Sequence, residues 1–256
     1  MEHLTHRVFT DDGIAIIFDL YRQADHEALV IICPGFFQSK DTATFQRLAD
    51  ALAHDRDILC MDFRGHGHSS GLYTFSTREG ADLEAVLDWA KARYQRLGVI
   101  GFSLGAAIAL NALSRDNDKV RSLVAVSAPC AFEEIEFKWW TPQAIRTGLQ
   151  GLEPGAGCRL GNLFLKKARP IDSIRQLFGV SILLIHGTND PIVHPRHSRK
   201  LYEAAPERKR LELIEGGGHA GELYRRNPTR FLAIVQPWLE ATLGDHGARR
   251  IDFPSR

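Results

Sequence analysis

Gly101-Phe102-Ser103-Leu104-Gly105 is a Gly-x-Ser-x-Gly pentapeptide, entered from an apolar strand pattern (Leu97 to Phe102) and left through an alanine-rich helical pattern (Ala106 to Leu113). A serine hydroxyl is a weak nucleophile at neutral pH. A sharp strand-to-helix turn helps by projecting it into the open beside a helix N-terminus. Glycines on both flanks permit the strained turn and let strand and helix pack closely. Ser103 is therefore the candidate nucleophile. A chain with 22 glycines can hold such a pentapeptide by chance, so its weight comes from its surroundings.

The same stretch has a rival reading. From Leu97 to Ser114 there is no charged residue, and Gly101-x-x-x-Gly105 also fits the small-residue packing motif of membrane helices. Three glycines, Ser103 and Asn111 fall within it, and it divides naturally into a strand and a helix. A soluble strand-helix unit explains it better.

Composition sets the frame. The 256 residues suffice for one large α/β domain and are short for two. Hydrophobic residues make up 44% and charged residues 25%, ordinary globular values, and 32 basic against 31 acidic residues leave a net charge of +1. Nothing in that balance points to nucleic acid or to an anionic membrane. Met1 to Arg7 lacks the basic start and apolar core of a secretory signal, which reads as a cytoplasmic protein. Cys33, Cys60, Cys130 and Cys158 show no paired short spacing and read as reduced, structural thiols.

Strand-length apolar runs alternate with amphipathic helical stretches, the pattern of a mostly parallel sheet covered on both faces. Val8 to Thr10 and Ala15 to Leu20 form an opening antiparallel hairpin around Asp11-Asp12-Gly13. Further strands are read at Leu29 to Cys33, Ile58 to Met61, Leu97 to Phe102, Leu123 to Val126, Ile182 to His186 and Leu211 to Ile214. Helices are read at Ala43 to Ala53, at Arg78 to Tyr94 with Val86, Leu87 and Ala90 inward, after Ser103, at Pro195 to Ala205, and as one closing helix from Gly221 to Leu243. Residues 1–244 read as a single domain. Pro129 to about Ile171 breaks the rhythm: it has no clean strand but holds Phe132, Phe137, Trp139, Trp140, Leu149, Leu152, Leu163 and Phe164. It reads either as a loop and helix packed on the core or as a small cap, about 130–171, over a binding site. The polar tail 245–256 reads as loosely ordered.

Activating Ser103 requires a base in hydrogen-bond reach and a carboxylate to orient it. Ile182 to Ile185 leads into His186-Gly187-Thr188-Asn189-Asp190-Pro191, and Leu211 to Ile214 leads into Glu215-Gly216-Gly217-Gly218-His219-Ala220. In a parallel sheet these loops and the serine turn emerge at one carboxyl edge, so Ser103, Asp190 and His219 can converge. Their chain order is Ser, Asp, His.

These features resemble the α/β-hydrolase superfamily over roughly Arg7 to Leu243. The resemblance is carried by Cys33-Pro34-Gly35-Phe36, by Asp62-Phe63-Arg64-Gly65-His66-Gly67-His68-Ser69, by the serine pentapeptide and by the Asp190 and His219 loops. The small insert, Arg169-Pro170-Ile171-Asp172 and Gly218-His219-Ala220 running into Arg225-Arg226-Asn227-Pro228 look most like bacterial carboxylesterase and acyl-hydrolase branches. The resemblance implies a mostly parallel eight-stranded sheet flanked by helices, with Ser103 attacking an acyl carbonyl, His219 moving the proton and Asp190 holding the imidazole. It also implies an oxyanion hole from the Leu104 and Phe36 backbone N–H groups. Many members have His-Gly where this chain has Pro34-Gly35. Proline lacks an N–H, but the needed donor lies two residues later.

Other constellations compete with this one. His66 and His68 could join His194 and His197 around a metal, but no carboxylate or cysteine completes a recognisable spacing, and bracing the loop behind the serine turn is the better reading. Asp62 and Arg64 read as a structural strand-end pair. Gly216 to Gly221 matches a lone Gly-x-Gly-x-x-Gly pattern with no acidic partner at another strand end. For Asp190 a capping role and for His219 an exposed turn are the bland alternatives. Phe37, Trp139 and Trp140 are candidate substrate-binding residues, against core packing. The expectation is a serine hydrolase with no cofactor and no metal, cleaving small to medium carboxylic esters with an apolar acyl or aryl group. Thioesters, amides, short peptides, perhydrolysis and C–C cleavage stay open on the same triad, as do a non-catalytic binding role and a homodimer.

Overall fold

In the computed structural model, which describes residues 2–135 and 157–244, eight strands form one sheet in the order β1-β2-β4-β3-β5-β6-β7-β8. The first two, β1 (Glu2–Phe9) and β2 (Ala15–Arg22), make the expected hairpin, and β2 also pairs antiparallel with β4 (Asp57–Met61). The remaining contacts are parallel: β4 with β3 (Ala28–Cys33), β3 with β5 (Arg96–Phe102), β5 with β6 (Val120–Val126), β6 with β7 (Ser181–Gly187) and β7 with β8 (Lys209–Ile214).

Strands covered on both faces read as unbroken apolar runs, and β3 is buried at every position. The pleat then sorts alternate side chains to opposite layers. Leu29, Ile31 and Cys33 join one apolar cluster, while Val30 and Ile32 join the other. The first cluster is closed by α2 (Glu79–Lys91), through Leu83, Val86, Leu87 and Ala90, and by α3 (Leu104–Leu113). Below the second lies α1 (Ala43–Leu52), through Phe45, Leu48 and Ala49.

Every residue of α3 is buried. That burial accounts for the uncharged run around Ser103: it is a central strand and a central helix, and among the described residues no helix is long and apolar enough to cross a membrane. After β6 come the short helix α4 (Pro170–Ser173) and, beyond β7, α5 (Arg196–Ala204).

The single closing helix expected from Gly221 to Leu243 is instead two, α6 (Gly221–Arg226) and α7 (Pro228–Leu243). Proline clashes with a helical conformation in the residue before it, and Asn227 sits at φ −144° and ψ 77°. Its side-chain oxygen then caps the second helix by accepting the Arg230 N–H at 3.0 Å. Residues 136–156 of the aromatic stretch read as a cap, including Trp139 and Trp140, lie outside the described residues, as does the tail 245–256.

Candidate active site

The serine turn follows from sterics. Ser103 has φ 51° and ψ −113°, a conformation that L-residues avoid, and it swings directly from β5 into α3. A side chain at Gly101 would stand 2.5 Å from Ala106 Cα, and one at Gly105 would run into the carbonyl oxygens of Cys33 and Pro34. The two flanking glycines thus let α3 lie against both its own strand and the loop after β3.

Ser103 Oγ lies 2.8 Å from His219 Nε2, and His219 Nδ1 lies 2.7 Å from Asp190 Oδ2. A carboxylate can only accept, so Nδ1 carries the hydrogen and Nε2 is free to accept the serine proton. The three residues that the sequence separates widely are brought together at the carboxyl edge of the sheet. Asp190 uses its other oxygen locally: Oδ1 accepts the N–H groups of Ile192 and Val193, both at 2.9 Å. The turn-capping role and the His-orienting role are thus held by different oxygens of one carboxylate. Burial on its own would raise the Asp190 carboxyl, but the charge of His219 and hydrogen bonds from His186 and His219 outweigh it and hold the group well below the usual carboxylate range.

His186 was read only as a strand end, yet it is fully buried and its Nε2 stands 2.7 Å from the Val193 carbonyl and 3.2 Å from Asp190 Oδ2. With Ser198 Oγ 2.6 Å from Nδ1, the ring donates from Nε2 and accepts at Nδ1, so a second imidazole N–H faces the acid. The available signal was its position four residues before Asp190, directly after the apolar run Ile182 to Ile185. The acid and histidine loops are also tied to each other, since Asn189 N–H reaches the Gly217 carbonyl at 2.9 Å and Thr188 Oγ1 accepts the Gly216 N–H at 2.9 Å.

Beside the serine, the loop Pro34-Gly35-Phe36-Phe37 passes so close that a Cβ at Gly35 would be 3.1 Å from the Phe102 carbonyl and 3.4 Å from Ser103 Cβ. Among the described residues, neither the Phe36 nor the Leu104 N–H has a hydrogen-bond acceptor. The Pro34 carbonyl oxygen lies against Gly105, where a Cβ would collide with it. Phe37 adopts φ 66°, and its N–H donates to His66 Nε2 at 3.2 Å. This confirms His66 as a brace of the loop behind the serine turn.

Asp62 and Arg64 do not pair with each other as the sequence suggested. Asp62 accepts the Lys40 N–H at 2.7 Å and the His68 N–H at 2.8 Å, joining the end of the Phe36 loop to the glycine-histidine loop. Arg64, nearly fully buried, bonds Asp82 on α2 at 2.7 Å and Asp12 in the first hairpin at 2.7 Å. The four histidines weighed as metal ligands stay apart. His68 instead gathers with Asp41 and Asp62, with ligand atoms within 4.8 Å of one another, but both Asp62 oxygens already take backbone N–H groups.

Phe36 and Phe37 are about 36% and 41% exposed and meet edge to face at 4.6 Å. The Phe36 ring continues to Phe75 at 5.9 Å, and Phe75 continues to Phe132 at 5.6 Å. Phe75 and Phe132 in turn line a cleft of about 520 Å³ with Leu163, Leu165, Glu133 and Lys167.

Comparison with known proteins agrees with this architecture. Residues 28–154 match the family described as alpha/beta hydrolase fold, and residues 152–222 match the one described as serine aminopeptidase, S33. The esterase Pf2001 of Pyrococcus furiosus superposes with a TM-score of 0.77 at 21% identity, covering 95% of this chain and 92% of that one. The esterase RhEst1 of Rhodococcus sp. ECU1013 superposes at 0.75 with 20% identity, covering 93% and 99%. Among curated sequences, YfhR of Escherichia coli is 27% identical over 69% of this chain, and human ABHD12B is 27% identical over 87%. The chain spans about 60% of the length of these two relatives. Fold, strand order and family matches agree that the chain belongs to the α/β-hydrolase superfamily.

Proposed function

We propose that this protein is a serine hydrolase that cleaves carboxylic esters through an acyl-enzyme, with Ser103 as nucleophile, His219 as general base and acid, and Asp190 as the residue that orients it. The observation that carries this reading is the continuous relay from Ser103 Oγ through His219 to Asp190, at 2.8 and 2.7 Å, beside two unengaged backbone donors. Ser103 Oγ bonds the ester carbonyl carbon as Nε2 takes the hydroxyl proton, and the carbonyl oxygen becomes an oxyanion facing the Phe36 and Leu104 N–H groups. As that intermediate collapses, the alkoxide leaves with the proton from His219. Water then repeats the sequence on the acyl-serine, releasing the acid and restoring the hydroxyl.

The ring series Phe36, Phe75 and Phe132, with Leu163 and Leu165 in the adjoining cleft, supports an apolar acyl or aryl group. Ester hydrolysis is also the activity in the names of two fold neighbours. The match of residues 152–222 to a family described as serine aminopeptidase favours a second reading, amide hydrolysis at a peptide N-terminus, which the same relay could perform.

Labelling with a fluorophosphonate and turnover of a p-nitrophenyl ester series, run beside a series of aminoacyl p-nitroanilides, decide the matter. Wild type should label and hydrolyse esters, and Ser103→Ala should lose labelling and at least ~10³-fold in kcat. Equal labelling and turnover in the two proteins would overturn the nucleophile. Faster turnover of the anilides would move the substrate to the amide class.

A further inference from the structure

The end of β6 carries no residue of the proposed relay, yet it bonds the serine turn, the strand that leads to Asp190 and the histidine turn. Val126 is the last residue of the strand, and its carbonyl accepts the Ser103 N–H at 2.8 Å. Ser127 N–H donates to the Ile185 carbonyl at 2.8 Å, on the strand that leads to Asp190. The Ser127 hydroxyl oxygen accepts the N–H of Ala220, the residue after His219, at 3.0 Å. One dipeptide, placed between the nucleophile's strand and the acid's strand by the sheet order, therefore bonds the serine turn, the acid strand and the histidine turn.

Two further facts show how firmly the dipeptide is held. Ser127 is fully buried and stands at φ 50°, a conformation that L-residues adopt only when their surroundings force it. Ala220 is nearly buried as well and stands at φ 47°, so the peptide after His219 is itself held off its preferred geometry. With the Ser127 oxygen gone, the buried Ala220 N–H has no acceptor, and the turn would relax toward one.

We infer that Ser127 is a positioning residue that sets the place of His219 relative to Ser103 through the Ala220 N–H. This rests on the relay proposed above. It makes activity depend on the oxygen at position 127, whereas the stability of that position depends on its φ angle. Substitutions can separate the two. Ser127→Ala removes the oxygen and keeps the strain; Ser127→Gly removes both, because glycine accepts φ near 50° without cost. Ser127→Thr keeps the oxygen and adds a β-branch where it is least welcome.

The experiment measures kcat and KM on a p-nitrophenyl ester, Tm, and hydrogen exchange of the Ala220 amide in these three variants, with Ser103→Ala as the control for site-dependent turnover. The expected result is a loss of ~10- to 100-fold in kcat for both Ser127→Ala and Ser127→Gly, with KM within about twofold and with faster Ala220 exchange. Ser127→Gly should melt no lower than Ser127→Ala, while Ser127→Thr should keep Ala220 protection and kcat within about threefold of wild type in spite of a lower Tm. Activity that tracks Tm across the set would overturn the inference, as would a kcat within twofold of wild type in both oxygen-free variants. A wild type with no Ser103-dependent turnover would sink the relay first and this role with it, and that outcome is distinguished by the control.

Discussion

The turns at Ser103 and at Ala220 have nearly the same backbone, φ 51° and ψ −113° against φ 47° and ψ −116°, and each launches a helix. They are held there by different means. Around Ser103 there is no room: side chains at Gly101 or Gly105 would collide with neighbouring backbone, and all ten residues of the following helix are buried. Around Ala220 the near neighbours are mostly side chains: a Cβ at Gly218 would meet the Glu222 carboxylate, one at Gly221 would come no nearer than 3.4 Å, to Thr44 Cγ2, and the following helix has six residues. Hydrogen bonds do the holding instead, from Ala220 N–H to Ser127 Oγ, from His219 N–H to Glu222 at 3.3 Å, and from His219 Nδ1 to Asp190. Packing fixes the proposed nucleophile, and directed polar contacts fix the proposed base. In the proposed mechanism the imidazole takes a proton from serine and returns it to a leaving group, which suits the second kind of support.

The largest expected break in this comparison comes from the polar side. Asp190→Asn preserves shape but replaces the acceptor that selects the His219 tautomer, so kcat should fall by roughly 10⁴-fold, about 5.5 kcal/mol of barrier. The serine turn should be unaffected, which far-ultraviolet circular dichroism and an unchanged urea midpoint would check. A fall of less than about tenfold would mean that the Asp190 bond does not hold the base.

A paired substitution tests the packing side. Gly105→Ala drives a methyl group into the Cys33 and Pro34 carbonyls and should cost about 1–3 kcal/mol or more, with kcat falling alongside as the Phe36 loop is pushed from Ser103. Gly216→Ala, at φ 68° in open space, meets only the backbone penalty of a left-handed residue, about 1 kcal/mol, and should leave kcat within a few fold. Urea unfolding of both variants measures the difference. Equal costs at the two sites would remove the distinction between them.

Much of this arrangement was legible in the chain. The alternation of apolar runs and helical stretches located β2 to β8 to within three residues at each end, because buried strands leave an apolar signature, whereas β1, largely exposed, starts at Glu2, six residues before the Val8 that the pattern marked. The order of Ser103, Asp190 and His219, read with the carboxyl-edge rule, brought them to one place. Part of what escaped had no local signature. Arg64 finds its partners in Asp12, 52 residues away, and in Asp82, so proximity in sequence pointed wrongly to Asp62. Ser127 belongs to no motif, and only the sheet order reveals what it bonds. The division of the last helix was written in Asn227-Pro228 and was masked by the apolar periodicity that continues across it.

A last expected effect concerns the loop against which the serine turn packs, and it is read through pH. His66 is only 2% exposed, accepts the Phe37 N–H at Nε2, and with its Nδ1–H faces the Arg64 carbonyl at 3.3 Å. Burial pushes the imidazole down to about 4 against the bond to the Arg64 carbonyl, with the Arg159 charge adding to the fall. The unfolded ring, at its ordinary value of 6.5, therefore binds more protons than the folded one between pH 6.5 and about 4. The stabilising contribution of neutral His66 is complete above pH 6.5 and is lost progressively as the pH falls through that window, at most ~3 kcal/mol in all. His66→Gln keeps an oxygen able to accept the Phe37 N–H but cannot titrate. Its urea midpoint should be lower than that of wild type at pH 7 and should fall less steeply between pH 6.5 and pH 4.5. An unchanged slope would show that His66 does not titrate on unfolding, and an unchanged midpoint at pH 7 that the loop is held by packing, as the serine turn is.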